Sequence, residues 1–457
     1  MKRILVFTLV FLMICTAVLT ACGESESGTS EAESKAESAF SEAEKEESKA
    51  QSEAESKEDE STEASEESKE PPKTVTKLPT KYEEGSISLE AASYSEKPYF
   101  ALIGRCSEGA TVTAEAEGET VSSKSYKGWY SLRLKCSKKN VDVKISQSVD
   151  GAQVGETLEY TIKPVQPSSD MWPIVTGGDF QFFFQKMLPD FQGKNLPSQL
   201  QMNNLTSRIK TRLAKLHQNN PDAEIIYLIV PSSMTVYPEL VPSQYTPADT
   251  TKLDKTMAAL EAGGATVINL KEIFAEYKND EKPLYYKLDS HWSDYGAFVA
   301  YTELFNHIAK KFPAAAPRGE DEFNWNPNYY KSGDMTYYLA MSQDKIKEYA
   351  YFRQFKDSVP SAVTQYDRYV SSDKLTYNNL MTLENVISTG NSKLPNCIVM
   401  RDSYSTQMYD ILAERMNRTH YLGMWNYTWD NNMISRESPD YIIYILAEWN
   451  LDAVIKG

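Results

Sequence analysis

The 457-residue sequence predicts an α/β protein, a three-layer α/β/α domain preceded by a small all-β sandwich. Two changes of pattern along the chain carry that reading. Between about 83 and 165, short runs alternate apolar and polar residues, the period of half-buried strands. From about 170, strand-like apolar runs alternate with helical stretches, which predicts a mainly parallel sheet covered by helices. Before both lies a segment with neither pattern.

Residues 1–22 read as a secretory signal: Lys2 and Arg3, the apolar run ILVFTLVFLMICTAVL, then Leu19-Thr20-Ala21-Cys22. That ending is a lipobox pattern. Its resemblance to bacterial lipoproteins implies cleavage before Cys22 and lipid on its thiol, anchoring the chain to the outer face of a membrane. Ordinary secretion or an uncleaved anchor are the alternatives. No later apolar run approaches the roughly 20 residues a membrane helix needs.

Residues 23–78 predict a disordered tether rich in Ser, Glu, Ala and Lys. Within 24–72 there are 18 acidic residues against 5 lysines, a net of −13 out of the chain's −16. The acidity therefore belongs to a self-repelling spacer and indicates no basic partner for the folded part. As a flexible coil it spans roughly 40 Å. A long anionic tether on a lipid anchor suits a Gram-positive surface.

The sandwich is expected over 79–166, with strands in SISLEAA, YFALIGR, TVTAEAE, WYSLRLK, VDVKISQ and LEYTIKP. It resembles the immunoglobulin-like modules that precede many bacterial surface enzymes, by pattern alone. A sugar-binding role and a passive spacer both fit, and the spacer is the expectation because no site-like cluster stands out. An exported chain permits one disulfide, Cys106 with Cys136. Cys397 lies in an apolar run and reads as a small buried hydrophobe.

The second domain is expected over 167–457. Ile225–Val230 is a continuous apolar run ended by Pro231-Ser232-Ser233, as in a central strand buried on both faces. Ala265–Leu270 follows, with a helix in KEIFAEYK. Cys397–Met400 runs into Arg401-Asp402-Ser403 and then a helix near TQMYDILAERM. Sites in open α/β sheets form at the carboxyl ends of strands, where Ser403 falls.

A serine nucleophile needs an imidazole to take its proton and a carboxylate to orient the imidazole. Of four histidines (His217, His291, His307, His420), His291 alone has a carboxylate two residues away in a turn-like, Trp-bearing segment, LDSHWSDYGA. In extended chain that spacing puts Asp289 and His291 on one face, ahead of a helix capped near Ser293 or Asp294. Taken alone, Asp402 or Ser403 serves equally as a helix cap, and Asp289 and Ser293 as polar caps of a surface turn.

YYKLDSHWSDYGA resembles the DHHW segment, and RDSYS the Asp-Ser-Tyr/Phe segment, of the alginate O-acetyltransferase-like and DHHW protein families, both SGNH-hydrolase-like. The Asp-x-His element precedes the serine, as in that group's permuted acetyltransferase branch. The likeness extends in order and texture over roughly 170–457. It implies Ser403 as nucleophile, His291 as general base and Asp289 as its orienting carboxylate.

Ser290 replaces the first His of DHHW, and Arg401 stands where many relatives have Gly. Arg401 is therefore expected to face the acceptor, with Trp292 and Tyr404 as further substrate-binding residues. Tyr421, Trp425, Tyr427 and Trp429 are aromatic candidates for sugar stacking, with core packing as the alternative. The second oxyanion donor is open, with Gly178 and Ser232 as strand-end candidates.

The function implied is transfer of an acetyl group to a cell-surface polysaccharide through acetyl-Ser403, with a membrane O-acyltransferase as donor and no cofactor. An acetylesterase with the same triad is the first alternative, and a non-catalytic glycan-binding or scaffolding lipoprotein the second. Scattered histidines without HxH or HExxH spacing argue against a metal site. The absence of a phosphate-binding glycine loop and of basic runs argues against nucleotide and nucleic-acid binding.

Overall fold

In the computed structural model, the described residues are 85–94, 98–135, 140–163, 174–330, 333–338, 348–357, 364–367, 385–423 and 429–457. The signal with Cys22, the acidic tether, Cys136, Trp425 and Tyr427 lie outside them. So does the Cys106–Cys136 pairing, of which only the buried Cys106 is described. No helix among the described residues is long and apolar enough to cross a membrane.

The β-rich region has two antiparallel sheets. One pairs Ala91–Tyr94, Tyr99–Arg105 and Trp129–Lys135 in that order. The other is built on Thr111–Ala116 and Val141–Val149, with Glu119–Lys124, Ala152–Gln153 and Leu158–Ile162 alongside. Alternation puts Phe100, Leu102, Val112, Ala114, Val143 and Ile145 into the core between the sheets.

In Tyr99–Arg105, however, the intervening residues Ala101 and Ile103 are buried too. With Trp129 they pack into a second cluster against Phe180, Phe182 and Phe183 of the following domain. The β-rich region and the following domain therefore share a core rather than meeting only through a linker. The apolar run FALI in this strand has its physical reason in that double burial.

The α/β domain carries a seven-stranded sheet. Its strands in chain order are β1 (Glu224–Val230), β2 (Thr266–Ile268), β3 (Thr364–Asp367), β4 (Asn385–Ser388), β5 (Asn396–Arg401), β6 (Arg418–Leu422) and β7 (Tyr441–Ala447). They lie in the order β2-β1-β7-β5-β6-β4-β3. The five from β2 to β6 are parallel; β4 joins antiparallel to β6, and β3 antiparallel to β4.

Period-two alternation splits each buried strand between two helical layers. Ile226, Leu228 and Val230 face helices Leu270–Tyr277 and Asp294–Ile308. Ile225, Tyr227 and Ile229 face Gln199–Leu216 and Lys252–Ala262. Each such Ile or Leu contributes about 1.5–3 kcal/mol relative to exposure. The helix starts are encoded locally, by capping boxes at Ser198/Gln201 and Thr251/Asp254 and by the Ser293 hydroxyl, which accepts the N–H groups of Tyr295 and Gly296.

Candidate active site

Ser403 stands just past the carboxyl end of β5, where the chain turns into a 3-10 helix, Ser403–Met408, followed by a short α-helix, Tyr409–Ala413. The sequence predicted one α-helix here. Asp402 caps the 3-10 helix, accepting the Tyr404 N–H at 3.0 Å on one oxygen; the other accepts the Ala447 N–H and the Asn450 amide, each at 2.7 Å. Burial, opposed by these donors and by the charge of His291, raises the Asp402 carboxyl above its ordinary value. The capping reading therefore describes Asp402, which leaves the Ser403 side chain available. Of residues 401–405, Ser403 alone keeps solvent access. As first residue of its helix, its N–H has no intrahelical acceptor.

His291 reaches Ser403 from a segment that is neither helix nor strand. Residues 285–292 form a bent loop closed by a bridge between Tyr285 and Trp292. Asp289 and His291 meet through an Asx turn rather than extended chain. Asp289 Oδ1 accepts both the His291 backbone N–H at 2.9 Å and its Nδ1–H at 2.7 Å. With Nδ1 donating to a carboxylate, Nε2 is the acceptor, and the Ser403 hydroxyl donates to it at 2.8 Å. The three residues named from the sequence thus form one hydrogen-bonded chain across 112 positions.

The imidazole is 11% exposed. Burial by itself favours the neutral ring, but the Asp289 bond and the charges of Asp289, Asp334 and Asp402 outweigh it. The His291 pKa is raised.

Two reciprocal bonds fix the halves of the site. Trp292 Nε1 donates to the Tyr404 carbonyl at 2.8 Å, and the Tyr404 hydroxyl donates to the Ser290 carbonyl. The Tyr404 ring also lies against His291, centroids 4.7 Å apart. Trp292, Tyr404 and Arg401 are all fully buried, so they have no face for a sugar and instead brace the turn. Arg401 points beneath it, beside the stacked rings of Tyr409 and Tyr421, because a long side chain following Met400 in a doubly covered strand has no route to the surface. Tyr421 is buried in the core, while Trp429 is half-buried at the sheet's other face.

Gly178 and Ser232 do not supply the second oxyanion donor through their backbones. The Gly178 N–H donates to the Leu240 carbonyl at 2.8 Å, and the Ser232 N–H to Glu448 at 2.7 Å.

Sequence reasoning missed the acids around His291. Asp334 accepts the Ser290 N–H at 2.8 Å and its hydroxyl at 2.5 Å, and its own N–H donates to Asp289 at 3.3 Å. Burial and the neighbouring Asp289 charge push its carboxyl up to about 6. Glu348 accepts the N–H groups of Lys287 and Leu288 at 2.6 and 3.0 Å, and burial raises it to about 7. No sequence signal marks either residue, since neither lies near the Asp-x-His segment in the chain. Asp289, His291 and Asp334 bring one donor atom each within 4.8 Å of one another, close enough for a cation. Those atoms are already joined to one another or to Ser290, which makes them a hydrogen-bonded cluster first.

Residues 183–382 match the family described as SGNH hydrolase-like domain, acetyltransferase AlgX. The resemblance read from the motifs therefore holds, and the domain is an SGNH-hydrolase-like α/β fold. The matched span includes Asp289, His291 and Asp334 and ends before Ser403. No curated protein matches the chain. Among solved structures, PatB1 of Bacillus cereus is 18% identical, with 61% of this chain and 97% of that one covered and a TM-score of 0.48. A DHHW family protein from Eubacterium siraeum is 11% identical, with 68% and 94% covered and a TM-score of 0.44. The O-acetyltransferase domain of Pseudomonas putida AlgJ is 16% identical, with 61% and 92% covered and a TM-score of 0.40.

Proposed function

We propose that this SGNH hydrolase-like, acetyltransferase-type domain moves an acetyl group onto hydroxyls of a cell-surface polysaccharide through acetyl-Ser403. The observation that carries the reading is the chain Asp289–His291–Ser403, with contacts of 2.7 and 2.8 Å. Its order and spacing are those of a base-activated hydroxyl.

In the first half-reaction the Ser403 oxygen bonds to the acetyl carbonyl carbon while its proton passes to His291 Nε2. As the donor's C–O bond breaks, the imidazolium returns that proton to the leaving alkoxide. A sugar hydroxyl then attacks acetyl-Ser403, giving its proton to Nε2, and the released Ser403 oxygen recovers it. Asp289 holds the tautomer and stabilises the imidazolium throughout. The Ser403 N–H lies at the helix start, where it can donate to the oxyanion.

An exported chain has no acetyl-CoA, and the family resemblance implies a membrane O-acyltransferase as the donor. The lipobox at Cys22 and the acidic tether would hold the domain outside the membrane within reach of wall glycans. Water in place of sugar makes the same residues an esterase, and product analysis with a glycan acceptor separates the two.

The reading is tested by incubating the protein with p-nitrophenyl acetate. A mass gain of about 42 Da, one acetyl group, and ester turnover are expected. Both should be lost in Ser403→Ala, and turnover should fall about 10²-fold or more in His291→Ala. Adduct and turnover that persist in Ser403→Ala would overturn it, and the same glycan affinity without either activity would favour a binding protein.

A further inference from the structure

We propose that Asp334 is a fourth functional member of this site, a positioning residue whose carboxylate holds the Asp289–Ser290–His291 turn and sets the field at the imidazole. The inference rests on the acyl-transfer reading above and assigns a role to a residue that reading leaves unused.

The geometry is specific. Asp334 begins a short helix, Asp334–Tyr338, and each of its carboxylate oxygens accepts from Ser290, one from the N–H and one from the hydroxyl. Its N–H returns a bond to Asp289 Oδ2, the oxygen left over when Oδ1 serves His291. The Met335 N–H donates to the Leu288 carbonyl at 3.2 Å. Gly333 makes this approach possible, since a Cβ there would lie 1.8 Å from the Leu288 oxygen and 2.9 Å from the Asp289 nitrogen. Every residue from Leu288 to Ser290 is therefore held by the turn 333–335. Ser290 acquires a reason as well: its hydroxyl is the hook that Asp334 grips, which a larger ring at 290 could not provide in the same way.

The arrangement costs stability, because it sets two carboxylates side by side in a buried place. The groups that face Asp334 are Asp289 and His291 from the loop, Lys186 from the turn Gln185–Met187, and Tyr404 from the Ser403 helix; Asp402 adds its charge at His291. Lys186 lies over the Trp449 ring at 4.6 Å, and burial pulls it down to about 7, so it is a weak counter-charge. The negative charge of Asp334 meets that of Asp289 and also acts on the imidazole, favouring its protonated form, the state that follows attack by Ser403. That is a catalytic use for an otherwise unfavourable pair.

The test uses the full chain with isotope-labelled histidine, reading the His291 titration by NMR and p-nitrophenyl acetate turnover against pH. Removing a negative charge near an imidazole lowers its pKa, so in Asp334→Asn the His291 midpoint and the acid limb of turnover both move down by about one pH unit. Turnover on the plateau falls about tenfold, with KM within about twofold of wild type. Ser290→Ala keeps the charge and removes one bond, so its midpoint stays at the wild-type value while turnover falls several-fold. An unmoved midpoint in folded Asp334→Asn overturns the proposal. So does wild-type turnover in Ser290→Ala, should Asp334→Asn fail to fold. Failure of the acyl-transfer reading shows separately, as wild-type turnover that Ser403→Ala leaves intact, because the NMR midpoint is read without turnover.

Discussion

The two halves of the site are held by opposite devices. Around Ser403, the single buried acid Asp402 accepts three donors on its two oxygens. Around His291, three acids crowd one loop, and burial lifts Asp334 and Glu348 to about 6 and about 7. Burial raises Asp402 too, and the serine half offsets this with three donors to one acid; the histidine half sets like charges together and is held by contacts from distant segments. In the proposed roles Ser403 needs a fixed place, which a strand end supplies, and His291 to take its proton. A general base also needs a tuned proton affinity, which requires charge, and buried charge is destabilising.

The largest expected effect is on the satisfied half. Asp402→Ala strands two backbone N–H groups and the Asn450 amide in a buried site, and should lower unfolding free energy by about 3 kcal/mol or more in denaturant titration, with acyl turnover lost alongside. A loss below about 1 kcal/mol would mean that the turn holds itself without the acid, erasing the contrast.

Next comes the pH response of the crowded half. Glu348 has a folded pKa raised from 4.5 to about 7. An acid shifted upward binds its proton more tightly in the native state, so its stabilising contribution is complete below about 4.5 and is lost as pH rises through about 7. Thermal melts should show Tm falling across that window, with a shallower fall in Glu348→Gln. Identical slopes for both proteins would show that the loop does not feel this carboxyl.

The smallest effect is expected where the β-rich region touches the same loop. Residues Lys127 and Gly128, both at positive φ, make a two-residue turn bridging Tyr126 and Trp129. Its tip places Tyr126 under the Lys287 ammonium, 4.3 Å from ring centre to Nζ, and the Lys127 ammonium 4.3 Å from the Tyr349 ring centre. Lys287 is two residues before Asp289, and burial lowers it to about 8. Tyr126→Ala should reduce stability by about 1 kcal/mol and turnover no more than a few-fold. A loss of turnover as large as that of Asp334→Asn would instead make the β-rich region a principal support of the base.

The α/β class, the central strands at 224–230 and 396–401, the cap at Ser293 and the grouping of Asp289, His291 and Ser403 were legible in the sequence. Each is signalled locally, by an apolar run, by side chains that satisfy helix ends, or by one histidine beside an acid at the mouth of a capped helix. The strand at 418–422 and the antiparallel strands β3 and β4 were not foreseen, being short and marked by no comparable run. Tertiary structure alone decided the partners of those signals. It paired Ser290 with Asp334 across 44 positions and Lys287 with Glu348 across 61, turned Trp292, Tyr404 and Arg401 inward, and gave the strand Tyr99–Arg105 a second buried face. The physical reason is range. Propensity, capping and periodicity act over a few residues, whereas burial and charge act through space, and the chain order does not reveal which distant carboxylate will share a histidine's pocket.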